Sequence, residues 1–168
     1  AVAPRTPLPF TVNVPPLSAD YTFFGGLYRS VHLLSTPPLA ISPMDFASAG
    51  VYVKQTNVSA TSADLTITVK LSNDSDSTAS ASLKATVLDA DNAEVASATA
   101  MQTVPARGKD DAVLGTALTN PHLWDGLADP YLYSVRVDLL DGESVLDSVS
   151  VPLGVRFFSL SPATGFAL

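Results

Sequence analysis

Tyr131-Leu132-Tyr133-Ser134-Val135-Arg136-Val137-Asp138-Leu139, then Asp141-Gly142, then the return run Ser144–Val151, is the stretch that decides the fold. Tyr131, Tyr133, Val135, Val137 and Leu139 share one face, the period of two expected of a half-buried strand. Asp-Gly between two alternating runs is a strong hairpin signal. The same grammar extends upstream. Val51–Thr56 reads as a strand, and Leu65, Ile67, Val69 and Leu71 alternate with Thr66, Thr68 and Lys70 before a break at Asn73–Ser77. Ala81–Asp89 carries Leu83, Ala85 and Val87 in phase. The turn Asp89-Ala90-Asp91-Asn92 leads into Glu94–Thr103, and Ala112–Leu118 follows. These seven short runs, punctuated every 8–12 residues or so, are the pattern of an all-β, immunoglobulin-like sandwich.

Composition is consistent with that reading and excludes several functions. The 168 residues have room for one domain with a real core plus an appendage. Lys+Arg is 9 against 16 Asp+Glu, a net charge of −7, which disfavours a nucleic-acid or anionic-membrane surface. No cysteine is present, so disulfides and thiol chemistry are excluded. No apolar run approaches the roughly 18 residues of a membrane span. Ala1–Arg5 lacks a basic start before an apolar stretch, so no signal peptide is expected at this end; a longer parent could carry one upstream. The compartment favoured for such a parent is periplasmic or secreted.

The N-terminal part reads differently. Pro4, Pro7, Pro9, Pro15 and Pro16 imply an extended, poorly paired tail. Tyr21–Leu34 reads as one or two strands around the Gly25-Gly26 turn, with Arg29 on the face of Leu27, Val31 and Leu33. Pro37-Pro38 and Pro43 form a stiff connector, placing a domain boundary near residue 40.

Three motifs carry a family resemblance. Phe24-Gly25-Gly26-Leu27-Tyr28-Arg29 resembles the end of the N-terminal sugar-binding jelly-roll domain of glycoside hydrolase family 2, the β-galactosidases, β-glucuronidases and β-mannosidases. Pro121-His122-Leu123-Trp124, then Pro130-Tyr131-Leu132-Tyr133, resembles the central immunoglobulin-like domain of that family. Gly154-Val155-Arg156-Phe157, with Gly165-Phe166-Ala167-Leu168, resembles the strand that closes this sandwich and the element that opens the catalytic barrel. The three matches follow the family's order and cover nearly the whole chain. The resemblance implies residues 1–40 as the end of the sugar-binding domain plus linker. It implies 41–160 as the sandwich and 161–168 as the start of the link to a barrel beyond Leu168. In many members an aspartate follows the arginine of the first motif; Ser30 stands there, so a sugar or cation contact through that position is in doubt.

Chemistry is sparse. A retaining glycosidase needs two carboxylates about 5–5.5 Å apart in a sugar-sized pocket, and the resemblance places the family's pair in the barrel. Glu94 and Glu143, the only glutamates, sit beside expected turns and read as solvated. Asp74, Asp76, Asp110 and Asp111 read as turn residues. Asp89–Glu94 lacks the glycine and spacing of a calcium loop. His32 and His122 are too few for a zinc site without thiols. No cofactor, metal or catalytic residue is therefore expected in this chain. Asn57 and Asn73 head glycosylation triplets that are common by chance.

The residues expected to matter are structural and interdomain: Gly25, Gly26, Arg29, Trp124, Tyr133 and Arg156. Trp124 is expected as a buried plug of the sandwich end, and Tyr133 as a core residue whose hydroxyl pins a loop. Arg29 and Arg156 are expected to pair with carboxylates across an interface. The leading reading is a non-catalytic module, inert alone, of a retaining β-glycoside hydrolase, β-galactosidase-like, with the rest of that hydrolase as partner. The alternative is a free-standing carbohydrate-binding or adhesion-type sandwich, which would need an exposed aromatic platform. A third is one piece of a nicked hydrolase, and exposed strand edges leave homo-oligomerisation open.

Overall fold

A computed structural model describes residues 30–163 and 165–167. All regular structure among them is β: β1 Leu39–Ile41, β2 Val51–Thr56, β3 Ser62–Asn73, β4 Ala79–Leu88, β5 Glu94–Val104, β6 Gly108–Thr119, β7 Tyr133–Asp141, β8 Ser144–Leu153, β9 Ser159–Ser161 and β10 Gly165–Ala167. The seven expected strands correspond to β2–β8. Gly25, Gly26 and Arg29 lie outside the described residues. Ser30–Leu34, expected in a strand, are exposed and unpaired, because no described strand lies alongside to complete a ladder.

From Thr36 onward the residues form one compact unit. In its first sheet β3 is central, with β6 on one side and β1 and β2 in line on the other. The second sheet has the order β5-β4-β7-β8, and every pairing is antiparallel. The chain crosses between sheets after β3, β5 and β6, while β2-β3, β4-β5 and β7-β8 are local connections. This is the sandwich that the spacing of the runs implies.

Alternation builds the core directly. Leu65, Ile67, Val69 and Leu71 of β3 meet Leu83, Ala85 and Val87 of β4 and Val135, Val137 and Leu139 of β7, all buried. Each fully buried Leu, Ile or Val contributes roughly 1.5–3 kcal/mol. The outward positions of the same strands are mostly Ser, Thr, Lys, Arg and Asp. Asp141-Gly142 makes the anticipated hairpin, with Gly142 at φ +60°. Asp89 closes the β4-β5 connection, its carboxylate accepting N–H bonds from Asp91 and Ala93, both at 2.9 Å.

Three features depart from the sequence reading. The proline-rich connector contains a short strand, β1, pairing Leu39 with Asn73 and Ile41 with Leu71. Three residues between prolines show no periodicity, yet all three are buried. The outward-facing N–H of Ile41 donates to Asp147 of β8 at 2.9 Å, tying the two sheets together. Second, Asp110 and Asp111 lie within β6 rather than in a turn: Lys70 of β3 pairs with Asp111 at 2.6 Å, and Gln102 donates to Asp110 at 2.8 Å. Third, β7 starts at Tyr133, not Tyr131, because Tyr131 turns aside to stack on His122 with ring centroids 3.9 Å apart.

β1 and β2 behave as one strand with an excursion. Ser42 N–H donates to Lys70 O at 2.7 Å, and Lys70 N–H donates to Gly50 O at 2.8 Å, so the chain leaves and rejoins the edge of β3 at one rung. The base of the excursion is fixed by Tyr52, whose hydroxyl bonds both Asp45 and Ser48.

Candidate interdomain surface

Strand direction places two poles on the sandwich. The first, at Asn73, gathers the start of β1, the 74–78 connection and the β7-β8 turn. The second gathers residues 57–61, 89–93, 120–132 and the irregular exit segment after Leu153. The chain enters at the first pole, where Leu39 faces Asn73, and leaves at the second, where Leu153 faces Tyr133.

Tyr133 organises the second pole. Its ring is buried at 7% exposure, and its hydroxyl accepts the N–H of His122 at 2.8 Å, as expected of a tyrosine corner. Tyr131 packs edge-on against it and accepts the N–H of Ala90 at 3.2 Å. His122 bridges to Asp129 at 2.6 Å, and Asp125 and Asp129 exchange backbone bonds, closing a compact loop around Trp124. Burial pushes the Tyr133 phenol above its ordinary value, while the bond from His122 acts in the opposite sense. A raised phenol pKa means that its stabilising contribution is complete below about pH 10, the unfolded value, and is lost as pH rises through the folded one. Tyr133→Phe leaves the His122 N–H unpartnered, at a cost of about 1 kcal/mol. Thermal unfolding at pH 8 is expected to show a Tm lower by roughly 4 °C, with the gap to wild type narrowing above pH 10. An unchanged gap would count against the assignment.

Trp124 is half-buried rather than a fully buried plug; on one side Leu123 packs against the core, while Leu127 on the other is fully exposed. Trp124 N–H donates to Val155 O at 2.8 Å, which aligns the loop with the exit segment; residues 154–158, expected as the closing strand, join no ladder. The Arg156 guanidinium lies over the indole, 5.0 Å from its centroid, a cation–π contact worth about 0.5–1 kcal/mol at an exposed site. Gly154 makes the approach possible: an added Cβ would sit 3.2 Å from Trp124 Cγ and 3.3 Å from both Arg156 Nη1 and Leu132 Cδ2. Leu123, Trp124, Asp125, Arg156 and Phe157 line an open cavity of about 350 Å³. No carboxylate pairs with Arg156 among the described residues.

Gln55 escaped the sequence reading. Its amide donates to Gly154 O at 3.1 Å and its carbonyl accepts Arg156 N–H at 2.9 Å, bolting β2 to the exit segment. The available signal was its place in the inward phase of β2, after Val51 and Val53. Beyond Arg156, β9 and β10 form a hairpin in which Phe158 and Phe166 stack at 5.8 Å.

Several carboxylates elsewhere are held in surface ion pairs and hydrogen bonds. Glu94 bonds Ser97 and Lys84, which together hold it below the usual carboxylate range, and Glu143 is exposed beside the β7-β8 turn. Asp76 pairs with Arg107 at 2.8 Å, Asp138 with Arg136 at 3.1 Å. No group of three or more His, Asp or Glu suited to a metal ion occurs among the described residues. Asn73 is fully enclosed and Asn57 is exposed, so only the latter triplet presents its asparagine to solvent.

Fold and poles together define an immunoglobulin-like β-sandwich module with a chain path running from end to end. The Glycosyl hydrolases family 2 model matches residues 49–156, and the chain belongs to that family. It is 37% identical over 158 residues to a β-glucuronidase of Bacteroides fragilis, covering 94% of this chain and 22% of that protein. It is 32% identical over 145 residues to a β-galactosidase of Bacteroides ovatus, covering 85% and 16%. The crystal structure of a Bacteroides uniformis β-glucuronidase superposes with a TM-score of 0.79 at 27% identity, covering 91% of this chain and 18% of that one. The chain thus spans about a fifth of the length of these relatives.

Proposed function

We propose that these residues are a non-catalytic spacer in a larger β-glycoside hydrolase, joining the end of a sugar-binding domain (residues 1–40) to a catalytic barrel beyond residue 160. The β-galactosidase and β-glucuronidase names of its relatives suggest β-galactosides or β-glucuronides as the parent's substrates. The observation that carries this reading is the end-to-end path: the chain enters the sandwich at the Asn73 pole and leaves at the Tyr133 pole, a separation of about 30 Å along β1 and β2. The 168-residue chain is expected to release no nitrophenol from nitrophenyl β-galactoside or β-glucuronide above background. Turnover by this chain alone overturns the reading.

The competing reading, a free-standing sugar binder, requires an aromatic platform. Trp124 packs on Gly154 and carries the Arg156 guanidinium over its ring, which leaves it poorly disposed to stack on a pyranose. Glycan-array binding abolished by Trp124→Ala, in a variant that stays folded, would favour that alternative.

A further inference from the structure

We infer that the Trp124–Arg156–Phe157 surface is a charged socket for an acidic side chain of the catalytic part of the same polypeptide, and that this ion pair sets how that part seats on the sandwich. The inference rests on the spacer reading and adds the chemistry of the joint. Arg156 emerges where the chain leaves the sandwich. Its backbone is fixed by Gln55 at 2.9 Å and its guanidinium by the Trp124 ring, so the cation is pre-oriented before any partner arrives. It makes no ion pair with a carboxylate among the described residues; Lys54 and Lys109 share that lack, but only the Arg156 cation is held over an aromatic ring. Asp125 lines the same cavity without forming an ion pair with Arg156, so the guanidinium keeps its donor fork free to receive a carboxylate in bidentate geometry.

The surroundings are those of a covered surface. Phe157 is 53% exposed, Phe158 67% and Phe166 63%, on the exit segment and its hairpin, where Phe158 and Phe166 stack. Apolar side chains rimming a polar anchor mark an interaction site. The occupant is the same polypeptide: the chain leaves the sandwich at this surface, and it spans only about a fifth of the length of its relatives. An ion pair closed inside such a rim is desolvated, so breaking it costs far more than breaking the exposed pairs elsewhere on this sandwich.

The test uses the full-length gene product and the 168-residue chain in parallel, each as wild type, Arg156→Lys and Arg156→Glu. In the short chain Arg156→Glu is expected to lower Tm by no more than about 3 °C, because only the contact with Trp124 is lost. In the full-length protein the same change is expected to lower Tm by roughly 8 °C or more and to split one calorimetric transition into two, with Arg156→Lys intermediate. Equal shifts in the two proteins overturn the socket. The spacer reading is judged separately by the wild-type full-length protein: if it cleaves no β-glycoside that reading falls, while calorimetry still decides the socket.

Discussion

Replacing Asn73 by alanine is expected to lower the Tm of the sandwich by about 12 °C, read by circular dichroism or calorimetry. Asn73 is completely buried where β3 ends. Its amide nitrogen donates to Ser77 O at 2.8 Å, Val104 O at 3.1 Å and Pro105 O at 3.2 Å. Its carbonyl accepts from Ser75 N–H at 3.0 Å and Ser75 Oγ at 2.7 Å. One side chain therefore closes the β3-β4 connection and ties it to the β5-β6 turn. Alanine removes both halves of the amide and strands the buried carbonyl of Val104, at a cost of about 3 kcal/mol. At roughly 4 °C per kcal/mol for a unit of this size, that is the stated shift. Asn57→Ala, which removes a single exposed bond to Asp64 and puts alanine at φ +50°, serves as the control and is expected to move Tm by about 4 °C at most. Similar shifts for the two variants would sink the account of Asn73.

Gly50→Ala is expected to be comparably damaging, about 3 kcal/mol. Gly50 sits at φ +73°, and a Cβ there would stand 2.5 Å from the Ser42 carbonyl oxygen and 3.0 Å from Ile41 Cγ2. Neither neighbour can retreat. Ser42 N–H is bonded into the β3 ladder, Gly50 O accepts from Lys70, and Ile41 is part of the core. Gly126 isolates the conformational term: its φ is +52° with nothing within 4 Å of an added Cβ, so Gly126→Ala is expected to cost only about 1 kcal/mol. A urea titration that finds the two alanine variants equal would show that the close approach at Ser42 contributes nothing.

Neither residue stood out in the sequence for this role. Asn73 drew notice only as the head of a glycosylation triplet, and its actual work depends on the 105–107 turn, some thirty positions away in the chain. Gly50 stood only as the residue ahead of the Val51–Thr56 run. The strands themselves were legible because Leu65–Leu71 and Tyr133–Leu139 alternate without interruption. β1 was not, since three residues between prolines carry no period; its burial comes from docking against the far end of β3. The Tyr133 hydroxyl bond was legible from the motif around it. The Trp124 environment was only half so: the motif located the residue, but the guanidinium that lies over it arrives from the exit segment thirty-two positions later.

The end-to-end chain path has a mechanical consequence. Tension applied through the flanking segments would enter along β1 and leave along β8, parallel to the ladders that hold them. Such a load shears several hydrogen bonds at once, where a pull across the strands would open them singly. β1 is short, but its Ile41–Asp147 bond couples it to β8 across the sandwich, so the two loaded strands brace one another. The module would then yield late under a stretching force, holding its neighbours at a fixed span while they move about their own joints.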